Sequence, residues 1–372
     1  MNDLDQKTST IAGSALKRVA LLLGAMLLCG VSIYASRDSQ LSASATTPEA
    51  QQDKQAPNPR AVEAATAFLD SLDTKLREKA LYEFDSEKKS NWSNLPVTMV
   101  PRNGVRVGDL TKEQRTRAMN VVAAVLSKGG YQKVLDIVDG DQMLADNAKD
   151  ANAKGKGGGR SPMFGADEYY LAIFGTPSDT KPWMVQFGGH HLGINITVIG
   201  KLFILTPTHT GAQPALFKRD DREVRPLGTE SDTAYKLMGA LNEKQRAQAI
   251  IGERAQGELL LGPGRDGKKI DPKGIKGSSL TADQQALLLD VIGTWVNITE
   301  PESATARMAA IKEKIGETYF AWSGPPEPGK PASFRVQGPS VVIEYAPQGG
   351  TGHIHTVIRN PEDEYGAGSM KR

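Results

Sequence analysis

All five histidines of this 372-residue chain lie in three short motifs: Gly188-Gly189-His190-His191-Leu192, Thr206-Pro207-Thr208-His209-Thr210 and Gly352-His353-Ile354-His355-Thr356. Histidines placed for packing or solubility should scatter. Imidazole gathered in one place serves metal ligation or proton transfer near neutral pH. Long stretches of chain separate the motifs, so the fold must bring distant segments to one polar site. The first and last motifs run into residues of strand-like alternation, which puts their histidines on rigid backbone.

Strand parity sorts these side chains. In the first motif Leu192, Ile194, Ile196 and Val198 form an apolar set, and His190 shares their parity. His191, Gly193, Asn195 and Thr197 form the polar set. In the last motif Ile354 and Ile358 face one way, and His353, His355, Val357 and Arg359 the other. A His-x-His pair on a strand aims two imidazoles the same way and can supply two metal ligands. The parity predicts His191, His353 and His355 as ligands of one divalent metal. His190 or His209 then serves as a fourth ligand or a nearby base. All-nitrogen ligation suits zinc or copper, and iron less well without a carboxylate. Glu344 is the candidate carboxylate, on a strand expected to pair with the His-x-His strand. Arg359 could bind the anionic end of a substrate or orient a carboxylate. Parity also predicts that His190 is more buried than His191 and neutral. The alternative is a hydrogen-bonded histidine network with a structural role, and His209 stands alone in a Pro/Thr/Gly loop.

The ends of the chain bound the class. Lys17 and Arg18 precede an apolar run from Val19 to Val31, and small residues follow. This pattern reads as a secretory signal peptide over residues 1–35. The run falls short of the roughly 20 apolar residues of a spanning helix, so membrane attachment would come only through an uncleaved N-terminal anchor. The expected location is periplasmic or extracellular. Cys29 is the sole cysteine, and Leu28 before it is a poor fit to a lipidation site. A cleaved chain therefore has no cysteine nucleophile, thiolate zinc site, iron–sulfur cluster or disulfide. Residues 36–60 read as a flexible linker, and residues 61–372 as one large domain. A net charge of +2 with no basic block argues against a nucleic-acid partner. A small-molecule substrate or ligand remains; the oligomeric state is open.

Helical periodicity covers Ala61 to Glu83. Three further helices begin with one signal, a capping box behind an apolar residue: Leu110-Thr111-Lys112-Glu113-Gln114, Leu241-Asn242-Glu243-Lys244-Gln245 and Leu280-Thr281-Ala282-Asp283-Gln284. They predict helices over 112–128, 243–249 and 282–297, with another over 303–315. The shared signal is taken as a local solution, not as a structural repeat. Lys154 to Arg160 is a Lys/Gly-rich loop. Strands are expected over 169–174, 183–187, 192–199 and 201–205, then over 319–322, 333–337, 340–345 and 353–359 as an antiparallel meander. Helices and strands are segregated, which gives an α+β fold of antiparallel sheets with capping helices in a single large domain.

The same residues carry a resemblance. Trp183, Gln186-Phe187-Gly188-Gly189-His190-His191-Leu192, Asn195, Thr206-Pro207 and Pro214-Ala215, with Phe320-Ala321-Trp322, Gln337-Gly338-Pro339, Ile343-Glu344-Tyr345, His353-Ile354-His355, Arg359 and Pro361, resemble an uncharacterised bacterial family, domain of unknown function 3500. The similarity runs from about Ala61 to the end. Family members often continue the last motif as Arg-Asp-Pro and close with Asp-Phe-Gly; this chain has Asn360 and Glu364-Tyr365 there. The resemblance brings no established activity. The residues favour an exported metal-dependent enzyme, a hydrolase first. A copper oxidoreductase and a non-catalytic envelope protein that binds a metal or small ligand are the alternatives. Ser/His/Asp hydrolysis stays open, although no Gly-x-Ser-x-Gly elbow is present.

Overall fold

Alternating apolar and polar residues build one sheet with two unlike faces. A computed structural model describes residues 57–153 and 164–371. The expected signal segment, most of the linker and the Lys/Gly-rich loop lie outside them. Among the described residues no helix is long and apolar enough to cross a membrane.

The helices are α1 (Pro57–Asp70), α2 (Thr74–Ala80), α3 (Lys112–Val125), α4 (Lys128–Ala153), α5 (Gly228–Ala240), α6 (Glu243–Ala249), α7 (Ala282–Val296) and α8 (Pro301–Glu313). The three capping boxes form as the sequence requires, at Thr111, Asn242 and Thr281. The single helix expected over 61–83 is two helices, because Asp73 caps the second by accepting the Leu76 N–H. Two helices escaped sequence reading, α4 and α5. Helical spacing was present in α4, at Val134, Ile137, Val138 and Asp141, all buried, but the last is an acid.

The strands are β1 (Leu81–Tyr82), β2 (Val105–Arg106), β3 (Tyr170–Phe174), β4 (Trp183–Gly188), β5 (Leu192–Ile199), β6 (Leu202–Ile204), β7 (Thr208–Ala212), β8 (Phe217–Arg219), β9 (Arg222–Val224), β10 (Ile250–Gly252), β11 (Ile275–Lys276), β12 (Tyr319–Ser323), β13 (Ser333–Gln337), β14 (Val342–Pro347) and β15 (Ile354–Arg359). Thirteen of them form one mostly antiparallel sheet in the order β1-β3-β4-β5-β7-β15-β14-β13-β12-β10, with β2 on β3, β11 on β12 and β6 on β5. The protein is a single α+β domain with an open sheet. One sheet face carries Ile173, Val185, Ile196, Ile194, Ile343, Val336 and Phe320, in one core cluster with Val122, Ile137, Leu237, Ile292 and Trp295 from the helices. The other face is polar, with Gln186, Asn195, His209, His355, Arg359, Glu344 and Arg335 in register across it.

The strand order reads the same from both ends. Mapping β1, β2, β3, β4, β5 and β7 onto β10, β11, β12, β13, β14 and β15 preserves every partner and direction. Sequence follows the mapping: Gly104-Val105-Arg106, Leu110-Thr111 and Gln114 against Gly274-Ile275-Lys276, Leu280-Thr281 and Gln284, and Tyr170, Ala172, Gly175, Lys181 and Pro182 against Tyr319, Ala321, Gly324, Lys330 and Pro331. Hydrogen bonds follow it too. Gln114 donates to Ser71 O and Gln284 to Ala240 O, each at 2.8 Å. Gly104 and Gly274 have φ of 100° and 95°. A Cβ there would lie 2.3 Å from Leu171 O and 2.1 Å from Phe320 O respectively, so glycine is required at both. The chain is an internal repeat about a near-twofold axis between β7 and β15. This corrects the reading of the capping boxes: those at 110–114 and 280–284 are repeat partners, and Leu241-Asn242 corresponds to Leu72-Asp73.

Candidate metal centre

The two halves meet where β7 pairs with β15, and the histidines cluster beside that seam. β15 presents His355 opposite Gly211 of β7. A Cβ on Gly211 would lie 3.1 Å from the His191 ring and 3.2 Å from the His355 ring. Its hydrogen side chain is therefore what lets both imidazoles lie over the strand. His191 Nε2 lies 2.9 Å from His353 Nε2, which lies 2.9 Å from His355 Nε2. These three residues form a group that could hold a metal ion. Ligands about 2 Å from an ion at tetrahedral angles stand roughly 3.3 Å apart, so the two pairs that share His353 need open only by tenths of an ångström.

His191 arrives there by leaving the strand. Its φ is 61°, a left-handed conformation that costs a non-glycine residue about 1 kcal/mol or more. The turn is closed by Gly189 N–H donating to Leu192 O at 3.0 Å. Alternation breaks, and the His190 and His191 rings lie against each other, 3.6 Å between centroids and tilted by 39°. The parity prediction for this pair is thereby overturned: His191 is 0% exposed and His190 7%.

Asp141, unseen in the sequence reading, organises both rings. Its Oδ1 lies 2.9 Å from His191 Nδ1 and 3.1 Å from His190 Nδ1. Tyr169 Oη stands 2.7 Å from its Oδ2. Burial pushes the Asp141 carboxyl up, but the two imidazoles against it prevail and hold it below the ordinary carboxylate range. With Nδ1–H given to this carboxylate, His191 turns its Nε2 lone pair toward His353, the arrangement that orients a metal-ligating histidine. The Asn94 side-chain amide nitrogen lies 3.1 Å from His355 Nδ1; ligation through Nε2 puts the ring proton on Nδ1, where the amide oxygen would accept it after a turn of the Asn94 amide.

Electrostatics favour the neutral, ligating form of the rings. Desolvation, followed by the neighbouring imidazoles, lowers His353 to about 4 and depresses His355 strongly. Desolvation also lowers His191, against the pull of Asp141. His353 is half-buried while His191 and His355 are buried, so the cluster opens to solvent on the His353 side.

Of the remaining sequence candidates, His190 joins the cluster through Asp141. His209 sits beside it, its ring 5.4 Å from that of His355. It is fully buried, and neither of its ring nitrogens has a hydrogen-bond partner among the described residues. Glu344 and Arg359 belong to a different network. Glu344 Oε2 accepts from Leu260 N at 2.6 Å. Arg359 donates to Leu261 O, Gly262 O, Asp266 and Glu364. The repeat explains their place. Gly193 pairs with His209 as Val342 pairs with Arg359, so Arg359 is the C-terminal counterpart of His209, and Glu344 of Asn195.

A family profile described as protein of unknown function (DUF3500) matches residues 54–367. The chain belongs to that family. Its match takes in both halves of the repeat and every residue of the histidine cluster. Nothing matches among curated proteins or among solved structures.

Proposed function

We propose that this DUF3500 protein is an exported metal-dependent enzyme, a hydrolase of a small molecule, with one divalent ion on His191, His353 and His355. The observation that carries the reading is the convergence of three neutral Nε2 atoms beside the solvent-facing His353, with Asp141 fixing one ring from behind. Three imidazoles with an open side fit a catalytic zinc site better than a closed structural one; copper is the next candidate. A divalent ion in such a site lowers the pKa of bound water and polarises a carbonyl or phosphoryl oxygen. The chain supplies the rest. Asp141 holds Nδ1 of His190, leaving Nε2 of that ring to take or give a proton. His209, buried and without a hydrogen-bond partner among the described residues, stands beside His355 as a reserve nitrogen. The signal-like N-terminus puts the activity in the periplasm or outside the cell, and the balanced charge points to a small substrate rather than nucleic acid.

Elemental analysis of protein purified without a histidine tag tests this directly. One equivalent of zinc is expected. Stoichiometric copper with visible absorption would move the reading to an oxidoreductase, and protein that takes up neither metal would sink it.

A further inference from the structure

The repeat gives the histidine corner a counterpart in the other half. Under the same mapping His191 corresponds to Ser340, His355 to Leu205 and Thr210 to Asn360. Each corner lies where a sheet turn meets the helix that follows the repeat-related helix: α4, carrying Asp141, in one half, and α8, carrying Arg307, in the other. The counterpart corner has no histidine. It holds a cavity of about 380 Å³ whose walls include Leu205, Val296, Ala310 and Ile358. That volume falls in the range of small-molecule sites.

One buried donor of this cavity lacks an acceptor, and two further donors stand on its wall. Thr299 is 3% exposed, and its hydroxyl has no hydrogen-bond partner among the described residues. A buried hydroxyl left so costs on the order of 1–3 kcal/mol. Ser303 Oγ accepts Phe203 N–H at 3.0 Å, so its own proton is available. The Arg307 guanidinium is held in place by Ser340 O and, with the Asn360 amide in its hydrogen-bonded orientation, by Asn360 Oδ1 at 3.1 Å. The acids nearby are less well placed. Asp363 is occupied by Ser369 N and Oγ at 2.8 and 2.5 Å, and Glu313 and Glu362 are exposed at the rim.

We infer that this corner is a second ligand site, independent of the metal centre, for a small amphipathic carboxylate. The hydrocarbon body lies against Leu205, Val296, Ala310 and Ile358. The carboxylate accepts from Thr299, Ser303 and Arg307, supplying the acceptor that the Thr299 hydroxyl lacks.

Octanoate is the probe, titrated calorimetrically into the full-length protein. Binding of one equivalent is expected, with octanol at least tenfold weaker. Thr299→Val removes the hydroxyl at constant shape; it should weaken octanoate roughly tenfold while leaving the unliganded protein at least as stable as the parent. Ala310→Trp should fill the cavity and abolish binding, with metal content unchanged in both variants. The inference is overturned if the parent binds no octanoate at millimolar concentration. It is equally overturned if both variants bind like the parent, or if octanol binds as well as octanoate.

Discussion

Asp141 shows how much one side chain decides at the residue scale. It is the buried carboxylate behind two imidazoles. Loss of such a partner to a ligating histidine typically weakens metal affinity 10–100-fold. Asp141→Asn should do so, read by competition with a chelator of known affinity, whereas full affinity in that variant would remove Asp141 from the centre. His355→Ala should abolish metal content while far-ultraviolet circular dichroism stays native, because the core is apolar and separate. Retained stoichiometric metal would show that the His-x-His pair is not the ligand pair. The pH dependence follows from His353. Its folded pKa, about 4, lies below the unfolded value of about 6.5. The folded state therefore binds fewer protons between those values. The stability it contributes is full above about 6.5 and is lost as pH falls toward 4. Metal-free protein should lose melting temperature across that window more steeply than the His353→Gln variant. Equal slopes would refute the depressed pKa. Solvent on the His353 side keeps the effect modest.

At the scale of elements, sequence patterns worked where one local rule acted alone. The capping boxes at Thr111, Asn242 and Thr281 placed three helix starts, and alternation placed eight strands but not β7, whose Pro/Thr/Gly composition reads as a loop. The rule failed at the break after Asp70, where the Asp73 cap overrides a continuous apolar period. It failed again at His191, where one left-handed residue reverses parity. The repeat was missed because its shared residues are few and serve turns, caps and glycine contacts rather than a contiguous motif. It predicts paired mutational effects. Gly104→Ala and Gly274→Ala should each cost at least about 2 kcal/mol, since both combine positive φ with a carbonyl inside contact distance. Denaturant melts would check this, and a neutral effect at either glycine would break the equivalence.

For the whole molecule, the repeat makes the histidine cluster a seam feature. His191 and Asp141 come from one half, His353 and His355 from the other, on opposite sides of the β7–β15 pairing. An ion bound only by the folded state adds stability as RT ln(1 + [L]/Kd), about 2.7 kcal/mol at a hundredfold excess over Kd. Zinc should accordingly raise the melting temperature of the stripped protein by roughly 5 °C for a domain of this size, and chelator should reverse it. No shift on zinc addition would deny a site across the seam.

The sequence by itself determined that the chain is α+β, where three of its helices start, and that His191, His353 and His355 belong together. Each follows from local chemistry: capping side chains, two-residue alternation, and a residue type too specialised to cluster by chance. Only the tertiary structure decided the partners of those residues. Asp141 lies on a helix whose pattern, read locally, is one acid on an apolar face, and its meaning appears only when the Gly188–Gly193 turn delivers two imidazoles to it. Glu344 and Arg359 share the polar face by parity, yet their charges are met by backbone groups and Asp266 of the 260–266 segment and, for Arg359, by Glu364 as well. Parity fixes which side of a sheet a residue takes, while distance along the sheet is set by strand order, and strand order here comes from a repeat that gathers histidines of both halves at one corner and leaves the counterpart corner with Arg307 and no histidine.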